Sequence, residues 1–336
     1  MHFLLGALPH QGMRSLSQRH GPVMLLRLGH VPTLVLSSAE AARQVMKVHD
    51  AAFANRPVYT NGGQNISFAR HDSRHWKAVR KLCTVELLSP RRIRLFRPVR
   101  EEAAARLVRS VADAGGLVDV GERVKVMMND VIMRVSVGDR CQQRALYLEE
   151  LDRAIDLMSG FNLTDLFPTS RLARVLGSRS LRATWEVHGR IQSIMDAMVH
   201  EHKMAMESQE ASAGHEREDI LTTLLRFQRD GGMGCITLTN ENVSGVLFCG
   251  GCSKARPRWR RRISTAGSTT SRWIKETFRL HPPVPLLIPR LCTQHRKIMG
   301  FDVPSGTTVF ANVRAIGRDE KSWPDAEEFK PERFES

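Results

Sequence analysis

Cysteine is sparse in this 336-residue chain, aromatic residues amount to only 6%, and no long apolar run occurs. Cys83, Cys141, Cys235, Cys249, Cys252 and Cys292 are spread too widely to build a disulfide framework and suit a reducing compartment. Cys249-Gly-Gly-Cys252 is the only close pair; a zinc or redox reading of it stays open but finds no second pair or histidine nearby. The apolar start, Phe3 to Leu8, falls far short of the ~20 residues that span a bilayer, and it carries no signal-peptide pattern. Acid is short as well. The net charge of +15 favours anionic partners (nucleic acid, an acidic membrane surface, an acidic protein), or else describes a solvated arginine-rich surface. A hydrophobic share of 42% with 25% charged residues excludes a disordered chain and permits a large core.

What is present reads mainly as helix. Val23–Leu28 and Val31–Leu36 have strand patterning around Gly29-His30. Ser37 with Glu40 three residues on forms a capping-box signature that opens a helix towards His49. Between Pro98 and Phe248 strand signals are few; Phe161–Pro168 is an apolar break between helices, and Asp230–Gly234 is a polar, glycine-rich connector. Ile298–Pro304, Ser305-Gly306 and Thr307–Phe310 read as a hairpin.

Chemistry concentrates in residues 274–290. Glu276 and Arg279 share one helix face until Pro282 and Pro283 stop the helix. Downstream, Pro331-Glu332-Arg333-Phe334 offers a second arginine. Trp76 and Arg80, four apart, lie on one side of another helix, where a guanidinium fork matches a carboxylate. Taken singly, each pair could be an ordinary surface contact. Together, the ExxR helix, its proline-rich exit and the PERF segment resemble the cytochrome P-450 superfamily of haem-thiolate monooxygenases. The wording of Phe53-Ala-Asn-Arg-Pro57 and Glu86-Leu-Leu-Ser89 is similar to its plant microsomal branch.

The resemblance implies a mainly α fold with small β-sheets and a b-type haem. It implies a charge network of Glu276, Arg279 and Arg333, with Trp76 beside the haem and Arg80 and Arg290 binding its propionates. Asn65, Ile66, Phe68, Phe161, Leu163, Val284 and Leu286 become substrate-pocket candidates, although core packing explains Phe161 and Leu163 equally well. Implied partners are a small lipophilic substrate and an NADPH-dependent flavoprotein, cytochrome P-450 reductase, docked on a basic face. The implied location is the cytosolic face of the endoplasmic reticulum; without the family's anchor, the cytosol is the alternative.

The resemblance breaks between Cys249 and Arg272. Lys254, Arg256, Arg258, Arg260, Arg261 and Arg262 crowd there with Pro257 and glycines, and no apolar period survives. The stretch reads as a disordered basic loop, of the kind a shifted reading frame or missplicing produces. Ala266–Thr270 is only faintly similar to the family's oxygen-activation motif: its acidic residue is missing and it lies too close to the ExxR helix. The organisation read from sequence is therefore 1–248, an anomalous segment 249–273, and 274–336. Only Glu335 and Ser336 follow Phe334, so the family's cysteine loop is expected to be absent, with no catalytic residue or metal ligand to assign. Cys292 would have to leave a strand-like position to substitute. The expectation is a family member that is inactive in this form. The alternatives are a noncatalytic protein keeping the reductase-docking surface, or nucleic-acid binding through Lys254–Arg262, which only Trp259 interrupts and no stacking series supports.

Overall fold

The computed structural model describes residues 8–57, 66–67, 69–139, 143–158, 167, 170–209, 219–231, 238–253 and 268–335. Its first elements follow the sequence pattern closely. Helix α1 (Pro9–His20) starts on a proline, whose missing N–H costs nothing at a helix start. Strands β1 (Val23–Leu28) and β2 (Val31–Leu36) pair antiparallel, with Val23 opposite Leu36 and Leu28 opposite Val31.

Helix α2 (Ala39–Arg43) is capped by Ser38, which accepts from the Ala41 N–H, and not by Ser37. The capping box read at Ser37 is thus displaced by one residue. The Ser37 N–H is held by the Pro22 carbonyl at the edge of the β1–β2 pair, so its side chain stays buried on the sheet side. Glu40 turns forward to Arg43 instead of back to a cap. A π-helical turn, Gln44–Val48, and a 3-10 turn, Asp50–Phe53, complete the segment.

Helices α3 (Arg74–Leu82), α4 (Pro90–Leu95), α5 (Arg97–Ala112), α6 (Val120–Val137) and α7 (Arg144–Met158) come next. They are followed by α8 (Arg171–Gln209), α9 (Ile220–Arg229) and α10 (Asn240–Ser253). The apolar faces of these helices meet in one core that includes Leu82, Met133, Met198, Leu221, Leu224 and Val243. Helix α9 shows why: Ile220, Leu221, Leu224 and Leu225 recur at helical spacing and all are buried, while Asp219 caps the start through the Thr222 N–H. Burying each such side chain stabilises the fold by roughly 1.5–3 kcal/mol.

Helix α11 (Ser268–Leu280) begins earlier than the sequence reading placed it, and α10 reaches Ser253, so both helices extend into the interval read as anomalous. The intervening residues 254–267, with the basic run, lie outside the described residues. Strands β3 (Arg290–Leu291), β4 (Arg296–Ile298), β5 (Phe301–Val303) and β6 (Thr308–Ala311) follow, then α12 (Val313–Ile316).

The hairpin lies elsewhere than read. Its turn is Met299-Gly300 between β4 and β5, not Ser305-Gly306. Both turn residues have positive φ, 50° and 84°, the geometry that matches the twist of a two-residue hairpin and that glycine adopts without cost. β6 leaves this pair for the larger sheet, which runs β1-β2-β6-β3. There β6 lies parallel to β2, Thr33 opposite Thr308, and all its residues are buried. The two ends of the chain are thus sewn into one sheet, over a second core of Leu34, Leu36, Phe53, Cys292, Ile298 and Val309.

Candidate functional site

The charge network forms at the C-terminal half of α11. Arg279 grips Glu276 through both carboxylate oxygens, Nε to Oε2 and Nη2 to Oε1, each at 2.7 Å. A spacing of three residues permits this, because both side chains lean towards the same turn. Arg333 reaches Glu276 Oε1 at 3.2 Å, and the Lys330 backbone N–H donates to the same oxygen at 2.7 Å. The Arg279 Nη1 and Nη2 groups donate to the carbonyls of Gly317, Ala326 and Glu328, and the guanidinium lies 5.5 Å from the centre of the Trp323 ring.

Glu276 is fully buried and Arg279 nearly so. Burial by itself would push the Glu276 carboxyl up. The bonds from Arg279 and Lys330, with the charges of Arg279 and Arg333, outweigh it and hold the carboxyl below the usual value. The network is a scaffold that fixes the segment 317–333 on α11.

On α3, the Ser73 hydroxyl caps the helix at the Trp76 N–H, which sets the indole. Arg80 stacks on that indole at 4.9 Å from the ring centre, and Trp76 Nε1 donates to the Ile66 carbonyl at 3.0 Å. One face therefore presents a guanidinium stacked on an aromatic, with Ile66 tied beneath it.

Arg290, at the start of β3, pairs with Asp50. Beside it stands a residue that sequence reading passed over. Arg56 donates from Nη1 to the carbonyls of Ile288 and Pro289, both at 3.1 Å, and so grips the backbone leading into Arg290. Burial, then the positive charge of Arg290, pushes the Arg56 guanidinium down to about 10 against the pull of Asp50. Among the described residues, two guanidinium groups thus share a single carboxylate, which leaves this corner short of negative charge. The available signal was Phe53-Ala-Asn-Arg-Pro57 itself: Asn55 also holds the His71 N–H and bridges to Leu291, so the whole segment is a clasp.

Of the pocket candidates, three fall within the described residues. Ile66 packs on the helical core, whereas Leu286 packs with Phe167 on a separate cluster of Met13, Met24, Leu28 and Val35. Val284 is exposed. Asn65, Phe68, Phe161 and Leu163 lie outside the described residues. Between Val284 and Arg290, Leu287 holds a left-handed φ of 55°, inside a turn closed by its N–H on the Val284 carbonyl. Cys83 and Cys292 are both buried and in no disulfide among the described residues. Burial pushes the Cys292 thiol up, and its Sγ donates to the Gln294 carbonyl at 3.0 Å. Among the described residues no cluster of His, Cys, Asp and Glu could hold a metal ion.

This combination of a buried Glu–Arg–Arg lock, a stacked Trp–Arg pair and a helical body on small sheets coincides with one known family. The chain matches the Cytochrome P-450 family over residues 1–250 and 269–336. It is 36% identical to Zealexin A1 synthase of Zea mays, covering 100% of this chain and 74% of that protein. It is 37% identical to Ent-isokaurene C2/C3-hydroxylase of Oryza sativa subsp. japonica, covering 97% of this chain and 72% of that protein. A solved zebra fish cytochrome P-450 with progesterone superposes with a TM-score of 0.74 at 23% identity, covering 98% of this chain and 84% of that one. The chain therefore belongs to the cytochrome P-450 family, and its fold is the family's. The alignment with Zealexin A1 synthase runs over 380 positions, more than the 336 residues of this chain, so that relative carries stretches with no counterpart here.

Proposed function

We propose that this polypeptide derives from a plant haem-dependent monooxygenase acting on a small lipophilic compound of secondary metabolism. The relatives named as hydroxylases, synthases and monooxygenases, from Zea mays, Oryza sativa and Salvia pomifera, support this substrate class. The haem site is read at Trp76, Arg80, Arg56 and Arg290. The observation that carries this reading is the excess of guanidinium over carboxylate around Arg290, a donor set suited to the acidic edge of a haem. When bound, haem iron supplies the oxygen chemistry of the family. The chain's own residues do the rest of the holding: Arg56 fixes the backbone before Arg290, Ser73 sets the indole, and the Glu276 lock keeps segment 317–333 seated on α11.

Electron supply is assigned to a reductase with an acidic docking face, met by exposed arginines such as Arg91 and Arg94 on α4. Placement on the endoplasmic reticulum follows the family; among the described residues no helix is long and apolar enough to cross a membrane.

In this 336-residue form we read oxygen turnover as interrupted. The family match breaks across residues 251–268, where the resemblance implies a central helix continuing with an acid and a threonine. Cys83 is buried in the helical core and Cys292 in the sheet core. The test is haem titration of the purified chain followed by a reductase-supported NADPH consumption assay. The reading expects stoichiometric haem binding that Arg56→Ala and Arg290→Ala weaken, with no haem-dependent NADPH consumption. Binding insensitive to both substitutions would remove the site assignment, and sustained consumption would remove the interruption.

A noncatalytic role as a competitor for reductase is the second reading, favoured by the +15 charge and the exposed arginines of α4. Loss of reductase supply to an intact family member on adding this chain, reversed by salt, would support it.

A further inference from the structure

Ser89-Pro90 is the only Ser-Pro or Thr-Pro step in the 336 residues, although the chain holds 15 prolines. Arginines follow at once: Arg91, Arg92 and Arg94, all on α4. A serine followed by proline, with a basic residue at the third place after the serine, is the pattern that proline-directed protein kinases accept. Proline suits its place because it has no N–H to leave unpaired in the kinase cleft. Arg92 fills the basic place.

So short a pattern recurs by chance, and accessibility decides whether it is usable. Ser89 is half-buried, Pro90 and Arg91 are exposed, and Leu88 before them is 40% exposed. Ser89 has φ −62° and ψ 152°, the extended conformation that a following proline favours and that a substrate strand in a kinase cleft adopts. Its Oγ accepts from the Arg92 N–H at 3.2 Å, and Arg92 Nη2 holds the Thr223 hydroxyl at 2.7 Å. Both bonds must open for Arg92 to reach the kinase. Helix α4 is six residues long with no buried side chain, so it detaches from the body with little loss of apolar contact.

We propose that Ser89 is a phosphorylation site for a proline-directed serine/threonine kinase, and that the phosphate weakens docking on the α4 face. The kinase transfers the γ-phosphoryl group of MgATP. The Ser89 Oγ–P bond forms as the bond to the ADP oxygen breaks, and the hydroxyl proton passes to the kinase's own carboxylate. The phosphate brings about −1.5 to −2 charges beside Arg91, Arg92 and Arg94, and so offsets most of their positive charge. The weakening rests on the reading of α4 as the reductase-docking face; the site itself does not.

The test incubates the full chain with MgATP and a purified cyclin-dependent kinase, and locates phosphate by peptide mass spectrometry. One phosphoryl group on Ser89 is expected in the wild type, and none in Ser89→Ala or Pro90→Ala. Pro90→Ala keeps the Ser89 cap and puts a good helix former in the first turn, so its loss of phosphate is not a loss of fold. Absence of phosphate on wild-type Ser89, or equal phosphorylation of Pro90→Ala, would overturn the site. The second measurement is affinity for purified NADPH-cytochrome P-450 reductase at low salt, before and after phosphorylation. The phosphorylated chain should bind roughly three- to tenfold more weakly, with a shallower salt dependence. Equal affinities would overturn the weakening while the site stands. An unmodified chain that binds no reductase would instead remove the docking reading, and the weakening with it.

Discussion

The backbone carbonyl of Arg279 occupies the space a side chain at residue 317 would need: a Cβ on Gly317 would clash with that oxygen. The helix that carries the Glu–Arg lock is therefore seated directly on a backbone carbonyl-to-glycine contact, and Gly317 in turn gives its own carbonyl to Arg279 Nη1. Gly317→Ala must push α11 and α12 apart. A loss of about 1–3 kcal/mol is expected, as for other overpacked sites, read as a lower urea midpoint with an unchanged slope. A midpoint equal to wild type would show that the contact yields freely.

Removing a partner of the lock should cost more. Arg279→Ala leaves Glu276 fully buried with only Arg333 and the Lys330 N–H, and breaking a buried pair costs about 3–5 kcal/mol. That approaches the whole stability of an ordinary domain, roughly 5–15 kcal/mol. Soluble expression and circular dichroism should show a largely unfolded product. Arg333→Ala, whose arginine lies nearer the surface, should be milder than Arg279→Ala, and the reverse order would contradict the geometry.

His202 gives the fold a dependence on pH. It sits on α8, with Nδ1 at 3.0 Å from the Met198 carbonyl and Nε2 at 3.3 Å from Asp219, the cap of α9. Burial opposes its charge, but the hydrogen bond and charge of Asp219, with the Met198 and Val137 carbonyls, prevail and raise its value above 6.5. A raised folded value means that the charged pair stabilises fully below about pH 6.5, the unfolded value. That contribution fades as the pH climbs through the folded value. Urea midpoints measured from pH 5.5 to 8.5 should fall for the wild type relative to His202→Gln. Parallel profiles for the two proteins would show that Asp219 and His202 do not share a charge.

Arg56→Ala should loosen the backbone at Ile288 and Pro289 and leave Arg290 to Asp50 alone. Charge-assisted hydrogen bonds contribute about 1.5–3 kcal/mol, so haem affinity should drop roughly 10- to 100-fold. Arg56→Lys should recover part of it, because one nitrogen, Nη1, makes both carbonyl contacts and an ammonium can donate to two acceptors. Full rescue by lysine would mean that charge alone matters there.

Elements with a local signature were legible in the sequence. The strands Val23–Leu28 and Val31–Leu36 are short apolar runs either side of Gly29-His30, and α9 repeats its apolar residues every three to four positions. Glu276 and Arg279 were legible because helical spacing alone places them together. Contacts set by distant parts of the chain were not. Asp50 and Arg290 are neighbours only because β6 crosses back to pair with β2, and Arg56 reaches Ile288 through the same closure. Ser38 displaced Ser37 as the cap because the sheet edge had already claimed the Ser37 backbone. The turn at Met299-Gly300 was masked by Ser305-Gly306, a better-looking turn pair that the register of β6 leaves outside the hairpin. Pocket residues were the least legible, since apolar character marks core and cavity alike: Leu286 is packed on Met13 and its neighbours.

The most direct test of the account is a reduced, carbon-monoxide difference spectrum of the 336-residue chain loaded with haem. The account predicts bound haem without the red-shifted, thiolate-type Soret band, because Cys83 and Cys292 stay buried in their cores and the family match skips residues 251–268. A full thiolate-type band would show that a cysteine of this chain ligates the iron and that the oxygen chemistry of the family is intact.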